Sequence, residues 1–599
     1  MFVIEEDSLN EEQKLAIYTN DNILLTACPG SGKTRTLIYK IAYELSRIES
    51  SKKIVLAITY TNTAAEEIKE RVEHLGVDTT QLWIGTIHSF CLHWILRPYY
   101  LYLDNLKNGF TVINSYEAEK ILIKICESYK SENIRYWDCG VIAKPDGIYL
   151  TCMEDDKYPS LLKIINEYYK ELNNNKKIDF EQILKYSWDL LEKKSIISKS
   201  LSKIFSLILI DEYQDTKEIQ YHIISKILNS NNGSTKTLIV GDPNQAIYDS
   251  LGGFPMPKKD LEKLLGFNLL SLNLTKNYRS SNKIINYFDF YKVEPSSIVA
   301  SGKDAKYSSI ITYNNSVEVS KLVDEISRLI LLNITEHNIL SNQICIVAPQ
   351  WVHIGTITRM LMIKHPDLDF NGPGMAPFSR DIDNFWFKVS KIILTEPSPD
   401  MYIRRLRWSS EILSDLELLG VDIIDISNKH LLKVCNSITI NEVDGLEYLS
   451  KYFSKLFEQL SIDWEIIPTL KSHYDSFFSS SLQRIEKLAG EGLKGVETLE
   501  NFKKVFKQRG GITVSTIHGV KGEEYDVVIG FGLLNGFVPH FNDPNGEINS
   551  KKMLYVLASR ARKNLHLISE KMRNPHRYYA PCGKPPTSHL ENYSYLYDD

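Results

Sequence analysis

The chain has 599 residues, 43% of them hydrophobic and 24% charged, which is an ordinary composition for a globular protein large enough for several domains. A formal net charge of −5 excludes an overall basic protein that coats nucleic acid, so a nucleic-acid site has to be a local surface. The eight cysteines form no C-x-x-C pair and no apolar run approaches the roughly 18 residues of a membrane span, so we expect a cytoplasmic protein without disulfides, zinc or a membrane anchor.

A short helix is predicted at the start of the chain. Asn10 is in position to cap it, which places Gln13 in its first turn. Because a glutamine amide offers both a donor and an acceptor, Gln13 can bind both edges of adenine. An ordinary surface helix is the alternative for this segment alone. Its position just before a phosphate-binding loop favours the adenine interpretation.

That loop lies between a predicted strand, Ile23-Leu24-Leu25, and a predicted helix. It reads Ala27-Cys28-Pro29-Gly30-Ser31-Gly32-Lys33-Thr34 and departs from the G-x-x-x-x-G-K-[ST] pattern only at Ala27. Backbone N–H groups of such a loop point at phosphates, and the following helix dipole favours negative charge there. Lys33 can reach the β- and γ-phosphates of a nucleotide, and the Thr34 hydroxyl can ligate Mg²⁺.

Two further buried strands end in polar and aromatic residues. Ile54–Ile58 runs into Thr59-Tyr60-Thr61-Asn62, and Leu82–Ile84 runs into Gly85-Thr86-Ile87-His88. Ligands bind at the carboxyl edge of open parallel sheets, and these side chains suit single-stranded nucleic acid. Their polar groups can contact phosphates, and Tyr60 or His88 offers a stacking face. Ordinary turn and helix-capping chemistry is the alternative for each segment taken alone.

Adjacent carboxylates follow the next buried strand, Leu207–Ile210. Asp211 can hold the water shell of Mg²⁺ opposite Thr34, and Glu212 can orient and deprotonate an attacking water. Two more strand ends add candidates for contact with the γ-phosphate. Gln245 follows the strand Thr237–Val240, and Arg279 follows the strand Leu269–Leu274.

A second α/β region begins near the strand Ile344–Ala348, and both α/β regions are interrupted by mostly helical segments. Towards the end, an apolar helix over Met553–Ala558 is predicted to carry Arg560 and Arg562. Since residues at i and i+2 point in different directions on a helix, at most one of the two can face a given phosphate. We therefore expect an α/β fold with two parallel-sheet domains, each carrying a helical insertion.

Ten motifs together resemble the UvrD/Rep/PcrA family of superfamily 1 DNA helicases along nearly the whole chain. They cover residues 9–13, 27–34, 57–65, 85–90, 178–184, 210–216, 240–248, 277–280, 516–525 and 555–562. The resemblance implies two RecA-like P-loop domains, ATP and Mg²⁺ as cofactors, and 3′-to-5′ movement on single-stranded DNA towards duplex junctions. We place the first core at residues 1–97 and 196–277 with an insertion at 98–195. The second core is placed at 278–378 and 508–580 with an insertion at 379–507, followed by a tail at 581–599.

The resemblance also implies roles for individual residues. Catalysis is implied for Lys33, Asp211, Glu212, Gln245, Arg279 and Arg560, the two arginines coming from the second domain. Nucleotide contacts are implied for Gln13, Ala27, Cys28, Pro29, Gly30, Ser31, Gly32, Lys33, Thr34, Arg35, Arg279, Glu524 and Arg560. Metal contacts are implied for Thr34 and Asp211. DNA contacts are implied for Tyr60, Thr61, Asn62, Thr86, His88, Thr516 and His518.

The chain also departs from the family pattern. Thr63 stands where the family usually has lysine, and the insertion at 379–507 is shorter than in housekeeping members. After Tyr248 the family usually has an aromatic residue and then Arg-Gly-Ala, whereas this chain reads Asp249-Ser250-Leu251-Gly252-Gly253. The aromatic platform that stacks a base is thus missing, with Phe254 as a candidate substitute.

Two functions follow from these observations. The first is an ATP-driven 3′-to-5′ DNA helicase or translocase. The second, motivated by the altered stretch and the short insertion, is an ATP- and DNA-sensing subunit that activates a partner nuclease, as in Gabija-like antiviral systems. Nuclease activity in this chain has little support, because no cluster of acids with lysine occurs outside the ATP site. The pathway, whether DNA repair, replication or antiviral defence, stays open.

Overall fold

The computed structural model describes residues 9–152, 154–231, 235–372, 377–378, 381, 384–399, 401–490, 495–506, 510–573, 583–591 and 595. Within the predicted tail at 581–599, residues 581–582, 592–594 and 596–599 lie outside the described residues. By internal contacts the chain divides into two compact units. Unit 1 comprises residues 1–311, 538–565 and 588–599, and unit 2 comprises residues 312–537 and 566–587. Residues 278–311 and 538–565 are thus grouped with unit 1, although we had placed all of them in the second core.

The described strands, in chain order, are β1 (Ile23–Ala27), β2 (Ile54–Thr59), β3 (Leu82–Thr86), β4 (Thr111–Val112), β5 (Val141–Lys144), β6 (Gly147–Leu150), β7 (Lys177–Ile178), β8 (Phe205–Ile210), β9 (Lys236–Gly241), β10 (Leu270–Leu274), β11 (Lys276–Asn277), β12 (Val299–Ala300), β13 (Ile311–Asn314), β14 (Ile344–Ala348), β15 (Phe370–Asn371), β16 (Ile512–Thr516), β17 (Tyr525–Gly530) and β18 (Ala561–Ile568).

The described α-helices are α1 (Glu11–Tyr18), α2 (Lys33–Leu45), α3 (Asn62–His74), α4 (Ile87–Phe90), α5 (Arg97–Tyr99), α6 (Ser115–Cys126), α7 (Tyr158–Asn174), α8 (Phe180–Lys193), α9 (Ser195–Ile204), α10 (Glu218–Leu228), α11 (Lys258–Leu265), α12 (Asn282–Asp289), α13 (Leu322–Thr335), α14 (Trp351–Lys364), α15 (Phe385–Ile393), α16 (Tyr402–Leu418), α17 (Asn428–Ser437), α18 (Gly445–Gln459), α19 (Pro468–Gly490), α20 (Leu499–Lys504), α21 (Gly546–Ala558) and α22 (Ser588–Glu591). None of them has the length and hydropathy needed to cross a membrane.

Unit 1 is built on a six-stranded sheet in the order β10-β1-β9-β8-β2-β3, in which every neighbouring pair is parallel. Alternate residues of its strands face opposite sides. In β8, Leu207 and Leu209 pack into one hydrophobic cluster, whereas Ile208 and Ile210 pack into another. The sheet is therefore buried on both faces, which explains why its strands read as continuous apolar runs.

A second six-stranded sheet, in the order β13-β18-β17-β14-β16-β15, lies mainly in unit 2. Its strand β14 pairs in parallel with both β16 and β17. The predicted α/β class with parallel sheets flanked by helices is thus confirmed. The segment 384–506 is mostly helical where it is described, with an aromatic core around Trp386, Phe453 and Phe477.

One local prediction was wrong. Arg560 and Arg562 were placed on a helix, but α21 ends at Ala558, Ser559 is its C-cap, and Arg562 belongs to β18. The segment 98–195 is mostly helical, as predicted, and it also contains the antiparallel hairpin β5–β6, which was not predicted. The turn residues Pro145-Asp146-Gly147 are a typical hairpin signal that could have revealed it.

Candidate functional site

The glycine-rich loop joins β1 to α2 in unit 1. Gly30 and Gly32 adopt φ angles of 68° and 78°, in the left-handed region that favours glycine. A Cβ at Gly30 would lie 2.5 Å from the Cβ of Arg279, and one at Gly32 would lie 2.6 Å from Nε2 of Gln13. Both positions therefore require glycine. The loop ends at the N-terminus of α2, where backbone N–H groups and the helix dipole attract phosphate.

Two amide side chains hold the loop in place. Nε2 of Gln13 donates a hydrogen bond to the carbonyl of Ser31 over 3.0 Å, while its Oε1 accepts from the N–H of Asn10. On the other side, Nδ2 of the buried Asn277 donates to the carbonyl of Pro29 over 2.6 Å. Gln13 thus positions the loop, and its contact with adenine remains a prediction. Asn277 lies inside a motif that we recognised, but sequence reasoning assigned it no role.

The acids after β8 pair with the loop lysine. Nζ of Lys33 forms an ion pair with Glu212 and lies 3.5 Å from Oδ1 of Asp211. Burial lowers the pKa of Lys33, but the charges of Asp211 and Glu212 outweigh it and the net shift is upward. Burial raises the pKa of Asp211 above its usual range, although Lys33 opposes the shift. Lys33 therefore compensates the negative charge of this pair.

Glu212 has an unusual backbone conformation. Its φ of 52° and ψ of 46° lie in the left-handed region, which non-glycine residues rarely adopt. Its carboxylate accepts a hydrogen bond from Nε2 of Gln214, whose Oε1 accepts from the N–H of Asp242. The neighbouring strand end thus holds the Glu212 side chain at the mouth of the phosphate loop.

The predicted γ-phosphate contacts come together in unit 1. Nη2 of Arg560 donates to Oε1 of Gln245 over 2.8 Å, and Nη1 of Arg279 donates to the carbonyl of Ser559 over 2.9 Å. Nε2 of Gln245 in turn donates to the buried Asp242. Burial, reinforced by the charge of Arg279, lowers the pKa of Arg560 to about 9. We had expected both arginines from the second domain, yet by contact both are grouped with the phosphate loop.

Three of the predicted DNA residues of unit 1 border one cavity of about 320 Å³ at the carboxyl edge of the sheet. Tyr60, Thr86 and His88 line it together with Asp211 and Glu212. Nε2 of His88 is buried there without a hydrogen-bond partner, and burial lowers the pKa of this imidazole to about 4. A neutral imidazole therefore faces a cavity that extends to the acid pair.

Two of the threonines predicted to bind DNA serve as helix caps. Thr61 accepts a hydrogen bond from the N–H of Ala64 and caps α3, which begins at Asn62, and Thr86 accepts from the N–H of Ser89 and caps α4. The capping alternative is thus confirmed for both threonines, and their contact with DNA remains a prediction.

An aromatic pair that sequence reasoning missed lies beside them. The rings of Tyr60 and Tyr248 stack with centroids 4.9 Å apart. The stretch 249–253, which departs from the family pattern, begins directly after Tyr248 and forms a short 3₁₀ turn over Asp249–Leu251. Phe254 does not replace the missing platform, because its ring packs edge-to-face on Tyr221 at 5.8 Å, against the core.

Three predicted residues lie in unit 2. Thr516 is buried and its hydroxyl accepts a hydrogen bond from the N–H of Gly519, which closes the turn after β16. His518 lies in the same turn and is half-buried, and Glu524 is exposed just before β17. The roles implied for them towards DNA and ribose remain predictions.

Sequence comparison agrees with this geometry. The family model of the UvrD/REP helicase N-terminal domain matches residues 9–255, and that of the UvrD-like helicase C-terminal domain matches residues 427–572. The chain belongs to the UvrD-like helicase family. The two matches span more than half of the chain, and they confirm both the predicted family and its two RecA-like domains. The family is one of ATP-hydrolysing enzymes, so the predicted enzyme class is confirmed at that level.

Curated relatives carry matching names. ATP-dependent DNA helicase Rep of Buchnera aphidicola is 26% identical, over 93% of this chain and 92% of that protein. ATP-dependent DNA helicase PcrA of Bacillus subtilis is 23% identical, over 94% of this chain and 83% of that protein. PcrA of Staphylococcus epidermidis is 29% identical over 297 residues, a match that covers 47% of this chain and only 39% of that protein.

The loop geometry gives a first testable prediction. Gly30→Ala should abolish nucleotide binding, because the added Cβ would overlap with Arg279 and φ would be strained. Gly76→Ala is a matched control, since Gly76 has a φ of 72° but nothing within 4 Å of the added Cβ. It should cost only about 1–2 kcal/mol of stability from the backbone conformation. Thermal unfolding and binding of a fluorescent ATP analogue measure both effects. Normal nucleotide binding by Gly30→Ala would contradict the assignment of the glycine-rich loop as the phosphate site.

Proposed function

We propose that this protein is an ATP-dependent DNA helicase that moves 3′-to-5′ on single-stranded DNA. The observation that carries the proposal is the cavity in which Tyr60, Thr86 and His88 lie beside Asp211 and Glu212. Side chains suited to binding a nucleic-acid strand and side chains suited to phosphoryl transfer thus line the same cavity. The family resemblance supports the polarity and the action on duplex junctions. The same resemblance and the cysteine pattern support a cytoplasmic location.

The residues around the loop suit MgATP. The buried Asp211 and the first-turn Thr34 supply the oxygen ligands that Mg²⁺ prefers, and one or two protein ligands are usual when phosphates and water complete its shell. No cluster of three or more ligating side chains occurs among the described residues, which is consistent with such a sparse site. Mg²⁺, when bound, would neutralise phosphate charge.

The ion pair of Lys33 with Glu212 suggests how binding prepares hydrolysis. Phosphates in the loop compete with Glu212 for the Lys33 ammonium, since both ligands are anionic. Once Lys33 turns to the phosphates, the Glu212 carboxylate is available to accept a proton from the attacking water. Arg279, Arg560 and Gln245 lie together to stabilise charge on the transferred phosphoryl group.

A strand-displacement assay with ATP on 3′-tailed and 5′-tailed duplexes tests the proposal directly. We expect displacement from the 3′ tail and ATP hydrolysis that single-stranded DNA stimulates. Glu212→Gln should retain ATP binding, lower hydrolysis by about 10²–10⁴-fold and abolish displacement, because the amide cannot accept the proton. The exposed control Glu49→Gln should behave as the wild type.

Three outcomes would contradict parts of the proposal. Displacement only from the 5′ tail would overturn the polarity, and ATP hydrolysis that ignores DNA would overturn the coupling. Hydrolysis without displacement on either substrate would argue against a helicase and for the DNA-sensing subunit, for which addition of a candidate nuclease partner is the next measurement.

A further inference from the structure

A large aromatic side chain lies exposed on unit 2. Trp351, the first residue of α14, has 64% of its surface accessible, and the following Val352 has 72%. Tryptophan is a costly side chain to leave in water, because it carries a large apolar area. An exposed indole on a rigid element is therefore a candidate contact for a ligand with a flat apolar face.

Trp351 lies at the end of the sheet where Thr516 and His518 are predicted to bind DNA, which points to the same ligand. Strands β14 and β16 are parallel, with Ala348 opposite Thr516 at their carboxyl ends. The N–H of Ile517 donates to the carbonyl of Ala348 over 3.0 Å. Trp351 follows the end of β14 by three residues, as His518 follows the end of β16 by two. The same carboxyl edge of this sheet thus carries Thr516, His518 and Trp351. Open parallel sheets bind ligands at that edge.

The helix that carries the indole is fixed by the core. Ile354, Ile357 and Leu361 bury the opposite face of α14 in the hydrophobic cluster of unit 2. In the first turn, the buried His353 ring lies 4.7 Å from the ring of Phe537, and its Nδ1 lies 3.1 Å from Nη1 of Arg573. A side chain held on such a helix end loses little further freedom on binding, which suits a stacking platform.

The charge of α14 is compatible with a polyanion. The helix contains no aspartate or glutamate that would repel one, and it carries Arg359 and Lys364, the latter paired with Asp324. His353 is buried and takes no part in this surface. Val352, Met360 and Ile363 are also exposed apolar side chains of α14, and a protein partner would use these instead.

We propose that Trp351 stacks on a base of single-stranded DNA, next to backbone contacts from Thr516 and His518. This assignment rests on the proposed function and gives the chain an aromatic platform in unit 2, whereas the stretch 249–253 of unit 1 contains none. Stacking on an aromatic residue tolerates any base, as a translocating protein requires.

Binding of fluorescently labelled oligodeoxythymidine to the full chain without nucleotide tests the assignment. Trp351→Ala should weaken binding by about 10-fold or more, the usual loss for one stacking contact, whereas Trp351→Phe should retain most of the affinity. Ile363→Ala is the matched control and should bind normally, because Ile363 is 79% exposed on the same helix but lies roughly 120° around the axis from Trp351. Thermal unfolding should be unchanged in all three, because the substituted side chains are exposed.

Two results would overturn the assignment alone. These are unchanged affinity in Trp351→Ala, and equal losses in Trp351→Ala and Ile363→Ala, which would indicate a general apolar surface. A wild-type chain that does not bind the oligonucleotide would instead overturn the proposed function together with this assignment.

Discussion

Lys33→Ala is expected to reduce the turnover number for ATP hydrolysis by about 10²–10³-fold, the usual loss when one preorganised charge-stabilising donor is removed. The loop would keep its backbone, because Asn277 and Gln13 still hold the carbonyls of Pro29 and Ser31. The variant would lack the ammonium group that Asp211 and Glu212 keep charged. Steady-state hydrolysis with saturating single-stranded DNA is the measurement, and strand displacement should disappear in parallel.

Lys52→Ala, in an exposed turn after α2, is the control for loss of a positive charge near the sheet. It should hydrolyse ATP at the wild-type rate. A folded Lys33→Ala that hydrolyses ATP normally would show that the glycine-rich loop is not the catalytic phosphate site.

Arg560→Ala should reduce hydrolysis by about 10³-fold or more, as expected for an arginine that stabilises the transferred phosphoryl group. Arg560 is 2% exposed, and its guanidinium donates to Oε1 of Gln245, the carbonyl of Val556 and the hydroxyl of Ser559. Burial lowers the pKa of this guanidinium, with the charge of Arg279 acting in the same direction and those of Glu212 and Asp242 opposing it. An arriving phosphate would further stabilise the charge of this buried cation.

Arg562→Ala is the matched control, because Arg562 is an arginine two residues further along, in β18, and is half-buried where Arg560 is fully buried. It should retain most of the hydrolysis rate. Comparable losses in the two variants would indicate a structural role for the segment. If Arg560→Ala hydrolysed ATP normally, the assignment of a γ-phosphate contact would be wrong.

The parts of the site that the sequence predicted are those encoded by neighbouring residues. The strand, glycine-rich loop and helix around Lys33 are consecutive, and so are β8 and the acids Asp211 and Glu212. The cap at Asn10 is also local, and its side chain does accept from the N–H of Gln13. Where periodicity and turn chemistry act over a few residues, the fold had few alternatives.

The parts that the sequence did not predict depend on contacts between distant segments. Asn277 meets Pro29 across 248 positions, and Tyr60 stacks on Tyr248 only because β2 and β9 end at one edge of the sheet. Local patterns also misplaced Arg560. The residues after Ala558 are all tolerated in a helix, so no local signal shows that α21 ends there. Such details follow from packing, which no short motif records.

Glu212 is strained at the position where its chemistry is needed. A non-glycine residue in the left-handed region costs about 1–3 kcal/mol, and glycine would adopt the same angles without that cost. Selection for thermal stability alone would therefore drive this site towards glycine, whereas selection for hydrolysis keeps the carboxylate. At Glu212, selection for stability and selection for activity therefore act against each other. A related chain that no longer hydrolysed ATP would be free to replace this residue with glycine.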